Sequence, residues 1–177
     1  MRPTLAELGP RICIMGPSNS GKSTLARAIG RAHDMTVVHL DQLHHRPHTD
    51  WEPRPLPEFI ALHDAAIAGE RWVIDGKYRV CLPQRLQRAT GLILLDVSTV
   101  TSLLRYFRRT WFEADRAGGL EGGGERIKWE MLHHIVVAGP ASWRGYEAGL
   151  ATTSLPVVRL RNPEALSGFY SNEGLTP

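Results

Sequence analysis

The sequence predicts an α/β protein in which a parallel sheet is covered by helices on both faces. Short apolar runs alternate along the chain with longer segments of helical periodicity, the order expected of successive βαβ units. The apolar runs are continuous rather than alternating, as in strands that are buried on both faces. A chain of 177 residues is long enough to build one such domain around its own core.

The strands are predicted where Val, Ile and Leu are concentrated, at residues 11–15, 36–40, 71–74, 91–95 and 155–160. Helices are predicted between them, at residues 22–33, 58–68, 81–89 and 99–110. A helical pair is expected at residues 125–150, with a break near Gly139 and Pro140. Pro163 is expected to open a last helix that ends near residue 170.

Two segments interrupt this alternation. Residues 43–57 contain four prolines and three histidines, so we predict that a long loop at 42–57 replaces any helix there. Residues 118–124 contain five glycines, which predicts a mobile lid at about 111–126. Because nothing indicates a repeat or a second domain, residues 1–177 are expected to form a single domain.

Composition limits the classes of partner. The net charge of +3 and the pI near 9.1 admit a nucleic-acid partner. The positive charge is carried almost entirely by arginines spread along the chain, which favours a small anionic ligand over DNA. Apolar runs as short as residues 92–95 cannot span a membrane, and two cysteines do not suggest a disulfide framework, so we expect a cytoplasmic protein without a membrane partner.

A phosphate-binding motif follows the first predicted strand. Residues 16–23, Gly-Pro-Ser-Asn-Ser-Gly-Lys-Ser, fit the P-loop pattern G-x-x-x-x-G-K-[ST], which a chain of this composition contains by chance only about 0.003 times. The glycines let backbone N–H groups turn inward as an anion nest, and the following helix adds the positive end of its dipole. We therefore predict binding of ATP with Mg²⁺, with Lys22 at the β- and γ-phosphates and the Ser23 hydroxyl on the metal. The predicted nucleotide contacts are Gly16, Ser18, Ser20, Gly21, Lys22, Ser23 and Thr24.

Three carboxylates stand where predicted strands end. Asp41, Asp75 and Asp96 follow the second, third and fourth strands, and ligands of open α/β sheets bind beyond the carboxyl ends of strands. Mg²⁺ needs only one or two carboxylates beside the phosphates, so we assign Asp75 to the metal, through water. Asp41 is assigned to the phosphoryl acceptor, as a group that orients or deprotonates its hydroxyl. Asp96 is expected to cap the helix that follows it.

These segments together resemble the adenylate-kinase-like nucleotide kinases, and most closely the bacterial DNA topology modulation proteins, a group related to shikimate and gluconate kinases. The resemblance covers residues 11–170. It is carried by the P-loop, His39-Leu40-Asp41, residues 72–78, Leu95-Asp96-Val97 and an arginine-bearing helix. It implies a P-loop three-layer sandwich, with a five-stranded parallel sheet in the order 2-3-1-4-5 flanked by helices and a small lid.

The resemblance also implies residue roles. Asp75-Gly76-Lys77-Tyr78-Arg79 matches the adenylate kinase segment Asp-Gly-Phe-Pro-Arg at its Asp, Gly and Arg positions, which implies a metal-water contact for Asp75 and an acceptor contact for Arg79. Arg105 and Arg109 stand at the family's spacing after Asp96, which implies that Arg105 stacks on adenine and Arg109 clamps the transferring phosphates. The family's adenine loop would fall on Arg161-Asn162-Pro163, so Asn162 is expected to contact the nucleotide.

The acceptor is left open between a nucleotide and a small hydroxylated molecule. The segment with which adenylate kinases hold AMP is missing, and Asp41 through Pro47 stand in its place, a pattern more similar to shikimate and gluconate kinases. On this reading Asp41, His44, Asp75 and Arg79 line the acceptor side. The alternative function is a nucleotide-binding regulator that acts on DNA or a protein partner with little turnover. We expect a monomer or a weak homodimer.

Overall fold

A computed structural model describes residues 2–112, 150 and 153–177, with the backbone alone at residues 108–112. Its centre is a five-stranded, all-parallel sheet in the order β2-β3-β1-β4-β5, which confirms the predicted fold. The strands are β1 (Arg11–Met15), β2 (Thr36–His39), β3 (Trp72–Asp75), β4 (Gly91–Leu95) and β5 (Val157–Leu160).

Helices connect and cover these strands. In the described part of the chain they are α1 (Leu5–Leu8), α2 (Lys22–His33), α3 (Leu40–His44), α4 (Leu56–Ile67), α5 (Leu82–Arg88), α6 (Thr99–Phe112) and α7 (Pro163–Asn172). A short 3₁₀ turn, Arg79–Cys81, precedes α5. None of the helices among the described residues is both long and apolar enough to cross a membrane.

The sheet is buried on both faces because its strand residues alternate between two apolar clusters. Ile12 and Ile14 of β1 belong to a cluster that includes residues of α1, α2 and α7. Cys13 and Met15 of the same strand belong to the second cluster, which includes Trp72 of β3. This two-sided burial explains why the strands read as continuous apolar runs.

The segment after β2 differs from the prediction. The strand ends at His39 rather than residue 40, and residues 40–44 form the short helix α3 instead of the first part of a loop. The prolines of this segment begin only at Pro47, so no residue in 40–44 prevents a helical turn. Pro57 likewise does not exclude helix, since α4 begins at Leu56 and its first turn tolerates a residue without an N–H.

Other element bounds moved by a few residues. Asp75 is the last residue of β3 rather than the residue after it, the predicted helix at 81–89 is a 3₁₀ turn followed by α5, and the last helix extends to Asn172. The helix α1 was not predicted, although Thr4 and Glu7 form a capping box at its start, and T-x-x-E is a recognisable signal for one. The helical pair predicted at 125–150 and most of the predicted lid fall in residues 113–149, outside the described part of the chain.

Candidate nucleotide and acceptor site

The P-loop connects β1 to α2 and passes close to the end of β4. A Cβ atom on Gly16 would lie 2.4 Å from the carbonyl oxygen of Leu95, so only glycine fits at this position. Gly21 stands just before α2 with φ of 99°, a conformation that side chains rarely adopt. Both glycines of the motif are therefore required by the backbone path itself.

The start of α2 is open to an anion. No side chain caps the helix, so its first N–H groups remain available at the positive end of the dipole. The Lys22 ammonium donates a hydrogen bond of 2.6 Å to the carbonyl oxygen of Pro17 across the loop. The hydroxyl of Ser20 is fully buried and makes no hydrogen bond. An uncapped helix start, a lysine and an unsatisfied hydroxyl together fit the phosphates of ATP.

The other predicted P-loop contacts lie in the same turn. Ser18 is half-buried within the loop, whereas Thr24 lies exposed in the first turn of α2.

Ser23, Asp75 and His39 form a chain of hydrogen bonds at the carboxyl ends of β2 and β3. The Ser23 hydroxyl donates to Oδ2 of Asp75 at 2.5 Å. His39 Nδ1 lies 2.7 Å from Oδ1 of the same carboxylate. Asp75 is buried, with 5% of its surface exposed. A hydroxyl and a carboxylate side by side, next to the open helix start, are oxygen donors of the kind that Mg²⁺ prefers.

Arg105 of α6 lies against the P-loop. Its Nη1 donates to the carbonyl oxygen of Ser20 at 2.5 Å, and it lies 3.3 Å from the position of a Cβ on Gly21. Burial raises the pKa of Tyr170 of α7 to about 12, and the nearby positive charge of Arg105 opposes that shift. The structure thus places Arg105 beside the P-loop, and its predicted stacking on adenine stays a prediction.

Two further predicted nucleotide contacts have different positions. Asn162 lies at the start of α7, where its Oδ1 accepts a hydrogen bond of 2.8 Å from the backbone N–H of Ala165 and caps the helix. Arg109 lies one turn after Arg105 on α6, and its side chain is outside the described residues.

The start of α6 is capped by Ser98. The Ser98 hydroxyl accepts a hydrogen bond from the backbone N–H of Thr101 at 3.2 Å, whereas the sequence analysis expected Asp96 to be the cap.

Asp41 lies in the first turn of α3 and is exposed. The Tyr78 hydroxyl donates a hydrogen bond of 2.8 Å to its Oδ1, so the carboxylate is held by a residue 37 positions away. Burial raises the pKa of Tyr78, and the negative charge of Asp41 raises it further. The phenol therefore remains a proton donor over the whole physiological range.

The ring of Tyr78 packs into an aromatic cluster under α3. Its centroid lies 4.7 Å from that of His44 and 5.1 Å from that of Phe59 in α4. Burial, together with the charges of His45 and Arg54, lowers the pKa of His44 and favours its neutral form, although Asp41 opposes this. His44 was predicted to bind the acceptor; the structure places its ring against those of Tyr78 and Phe59, and its role toward an acceptor stays a prediction.

Arg54 fixes the loop that follows α3. Its Nη1 donates to the carbonyl oxygens of Gln42 at 3.0 Å and Leu43 at 2.9 Å, and also to that of His45. Its Nε lies 3.1 Å from Oε1 of Glu58 in α4. One arginine thus joins the end of α3 to the start of α4, across the proline-rich segment.

Two basic residues follow β3, on either side of Tyr78 in the sequence. Burial lowers the pKa of Lys77, and the nearby Asp41 carboxylate opposes that shift. Arg79 begins the 3₁₀ turn and is exposed. The structure therefore brings Asp41, Lys77 and Tyr78 together at the sheet edge that also carries Asp75.

Sequence reasoning assigned no role to His39, Arg54 or Tyr78. His39 and Asp75 are paired residues of adjacent parallel strands, so the predicted strand order contained a signal for their contact. Tyr78 and the carbonyl contacts of Arg54 gave no such signal, because those partners lie 9 to 37 positions away and no strand pairing or helical period connects them.

The chain was compared with known proteins. No family model matches it, and no curated protein is similar enough in sequence to match. Among solved structures, a shikimate kinase from Acinetobacter baumannii in complex with shikimate superposes with a TM-score of 0.59 at 14% identity, over 94% of this chain and 92% of the other. A sugar kinase from Janibacter sp. HTCC2649 gives a TM-score of 0.54 at 18% identity, over 99% and 97%.

A third similar structure, a gluconokinase from Sinorhizobium meliloti 1021, has a TM-score of 0.46 at 16% identity and covers 95% of each chain. At such low identities these similarities concern the fold alone. The chain has the fold of P-loop kinases over nearly its whole length.

Proposed function

We propose that this protein is an ATP-dependent kinase that transfers the γ-phosphoryl group of Mg-ATP to a hydroxyl of a small acceptor. The observation that carries the proposal is the pairing of two units at one sheet edge. The Ser23–Asp75 pair lies at the open start of α2, and Asp41, held by Tyr78, lies beyond the neighbouring strand. A phosphate-binding turn beside a carboxylate that can face a hydroxyl is the arrangement that phosphoryl transfer between two substrates uses.

On the phosphate side, which comprises residues 16–23 and Asp75, the N–H groups of the loop and Lys22 bind the phosphate oxygens. Ser23 and Asp75 would hold Mg²⁺, the latter through water. When bound, Mg²⁺ neutralises charge on the β- and γ-phosphates. Arg105 lies close enough to the loop to add positive charge beside the nucleotide.

On the acceptor side, which comprises Asp41, residues 45–55 and Tyr78, the Asp41 carboxylate receives the proton of the acceptor hydroxyl. The acceptor oxygen forms a bond to the γ-phosphorus while the bond between that phosphorus and the β–γ bridging oxygen breaks, and ADP leaves. Tyr78 orients the carboxylate through Oδ1. Catalysis then consists of positioning and charge stabilisation, with no covalent intermediate on the protein.

The acceptor class is proposed from Asp41 and from the similar structures. A single exposed carboxylate suits a hydroxyl group. The printed names of two similar structures, a shikimate kinase and a sugar kinase, refer to small polyhydroxylated molecules, which are therefore the first compounds to test.

The test is ADP production from Mg-ATP across a panel of polyhydroxylated acids, sugars, nucleosides and nucleoside monophosphates, with a control lacking acceptor. We expect one compound to stimulate the wild type strongly. Asp41→Asn should lose about 100-fold of that turnover, in the range typical of a general base, and retain ATP affinity. Tyr78→Phe, which keeps the ring, should lose about tenfold by freeing the carboxylate.

If ATP binds the wild type but no compound raises turnover above the control, the kinase proposal fails. The protein would then be better described as a nucleotide-binding regulator, and a DNA or protein partner should be sought. If a compound is phosphorylated equally well by Asp41→Asn, the kinase proposal stands and the role of Asp41 in it is wrong.

A further inference from the structure

We propose that His39 is a positioning residue that fixes the Asp75 carboxylate for the magnesium-dependent binding of nucleotide, an inference that rests on the proposed function. His39 Nδ1 lies 2.7 Å from Oδ1 of Asp75, and the two side chains are only 10% and 6% exposed. The contact joins the last residues of β2 and β3, at the edge where the P-loop arrives.

The strand pairing makes this contact a rigid one. His39 and Asp75 are Cα partners in adjacent parallel strands, and paired residues project their side chains from the same face of a sheet. Asp75 is tied on its other side to β1, where it pairs with Ile14. The imidazole is therefore held at the carboxylate by the backbone of the sheet and needs no flexible loop to reach it.

The two oxygens of Asp75 have different partners. Oδ2 accepts from the Ser23 hydroxyl, while Oδ1 faces His39. An ionised carboxylate only accepts hydrogen bonds, so beside ionised Asp75 the hydrogen between Nδ1 and Oδ1 lies on the imidazole and His39 is the donor. Both ends of the carboxylate are thus fixed, and its plane cannot rotate.

This arrangement matters because Ser23 has a second task. Ser23 is the P-loop hydroxyl expected to bind the metal, and when it does so Oδ2 of Asp75 is released to other donors. The bond from His39 does not depend on Ser23, so it keeps the carboxylate in place during that exchange. Hydrogen bonds that orient the groups around a metal contribute about 10- to 100-fold to its affinity.

The test separates the hydrogen bond from the volume of the side chain. In His39→Asn the amide nitrogen stands near the place of Nδ1 and can still donate, whereas His39→Leu fills the space without a donor. His33→Leu changes an exposed histidine at the end of α2 and serves as the control. Affinity for ATP is measured by calorimetry with Mg²⁺ and with a chelator, together with the thermal unfolding midpoint of each variant.

We expect His39→Leu to need about tenfold more Mg²⁺ for half-maximal ATP binding, while its affinity for metal-free ATP stays within about twofold of wild type. His39→Asn and His33→Leu should behave like wild type. If His39→Leu does not fold, His39→Phe, which keeps a ring without a donor, replaces it.

Equal Mg²⁺ requirements in wild type and the donor-free variant, or a loss in His39→Asn as large as that in His39→Leu, would overturn the positioning role. So would an equal loss of affinity with and without Mg²⁺, which indicates a structural effect only. None of these readouts needs turnover, so a protein that binds Mg-ATP but phosphorylates nothing would refute the proposed kinase activity and leave this inference standing.

Discussion

The phosphate side and the acceptor side of this molecule are built in opposite ways. The core of the phosphate side is one continuous turn between β1 and α2 that presents backbone N–H groups, and β3 adds the Asp75 carboxylate to it. The acceptor side is assembled from side chains of separate segments, with Tyr78 reaching Asp41 and Arg54 holding the loop between α3 and α4. The phosphate side depends mainly on the backbone conformation of the loop, and the acceptor side depends on contacts between side chains of separate segments.

This difference determines how each side can fail. A backbone nest loses its shape when a glycine gains a side chain, as the 2.4 Å approach of a Gly16 Cβ to Leu95 illustrates, but it tolerates change in most other loop residues. In a side-chain assembly no single substitution destroys the whole arrangement, because each hydrogen bond contributes about 1 kcal/mol and can be lost separately. Substitutions should therefore affect ATP binding on one side and acceptor handling on the other, with little overlap.

The largest effect is expected from Lys22→Ala on the phosphate side. Hydrogen bonds to charged groups contribute about 1.5–3 kcal/mol each, so ATP affinity should fall at least about tenfold in a calorimetric titration. The matched control is Lys77→Ala, which removes the lysine beside Asp41 and should leave ATP affinity unchanged. Circular dichroism of both variants should match that of the wild type.

Lys22 makes this a sharp comparison because its ammonium lies within the P-loop, where it donates to the carbonyl oxygen of Pro17. Unchanged ATP affinity in Lys22→Ala would remove the phosphate side from the nucleotide-binding site. A loss of the same size in Lys77→Ala would show that the two sides are not separate.

A smaller effect is expected from Arg54→Gln on the acceptor side. The substitution removes a guanidinium that donates to carbonyls at the end of α3 and pairs with the Glu58 carboxylate at the start of α4, so the free energy of unfolding should fall by about 1–3 kcal/mol. ATP affinity should stay within about twofold. Arg46→Gln is the control, because Arg46 is 45% exposed and its contacts with Glu52 and Glu58 are long surface pairs of 3.9 and 3.4 Å.

Urea unfolding and ATP titration of the two arginine variants decide the matter. If Arg46→Gln lowers the free energy of unfolding as much as Arg54→Gln, the three carbonyl contacts of Arg54 do not stabilise the fold more than a surface ion pair does. If Arg54→Gln also weakens ATP binding severalfold, the order of the acceptor loop is coupled to the P-loop.

The same difference explains what the sequence could predict. The parallel sheet and the P-loop were predictable because each leaves a local pattern, in the first case continuous apolar runs and in the second two glycines, a lysine and a serine at fixed spacing. The strand order came from the resemblance to known kinases, and the structure confirms it. Asp41 and Asp75 could be placed at one edge because parallel strands end there together.

The acceptor side could not be predicted in the same way. Tyr78 and Asp41 are 37 positions apart, and no periodicity connects them. The prolines at 47–57 were interpreted as excluding helix over the whole predicted loop, whereas their effect is local. The helix α3 therefore occupies the first residues of that segment, and α4 begins at its last two residues. The roles assigned to Arg79, Arg105 and Asn162 toward substrates stay predictions.

The smallest effect is a pH dependence located in α4, the helix beneath the acceptor side. His63 is fully buried there, its Nδ1 bonds to Asp64 at 2.9 Å, and burial, aided by the charge of Arg85, lowers its pKa below the ordinary 6.5 although Asp64 opposes this. The unfolded chain then binds a proton more readily than the folded one, so the free energy of unfolding should decrease as the pH falls below about 6.5.

Unfolding midpoints at pH 7.5 and 5.5 test this dependence with His63→Asn, whose amide can still donate to Asp64 but does not titrate. The fall between the two pH values should be smaller in His63→Asn than in wild type, and His33→Asn, at an exposed site, should keep the full fall. An undiminished fall in His63→Asn would assign the acid sensitivity to other groups, of which His44, packed on Tyr78, is the first to test because its pKa is lowered too. A diminished fall would place an acid-sensitive point of the fold in α4, whose Phe59 packs against Tyr78 of the acceptor side.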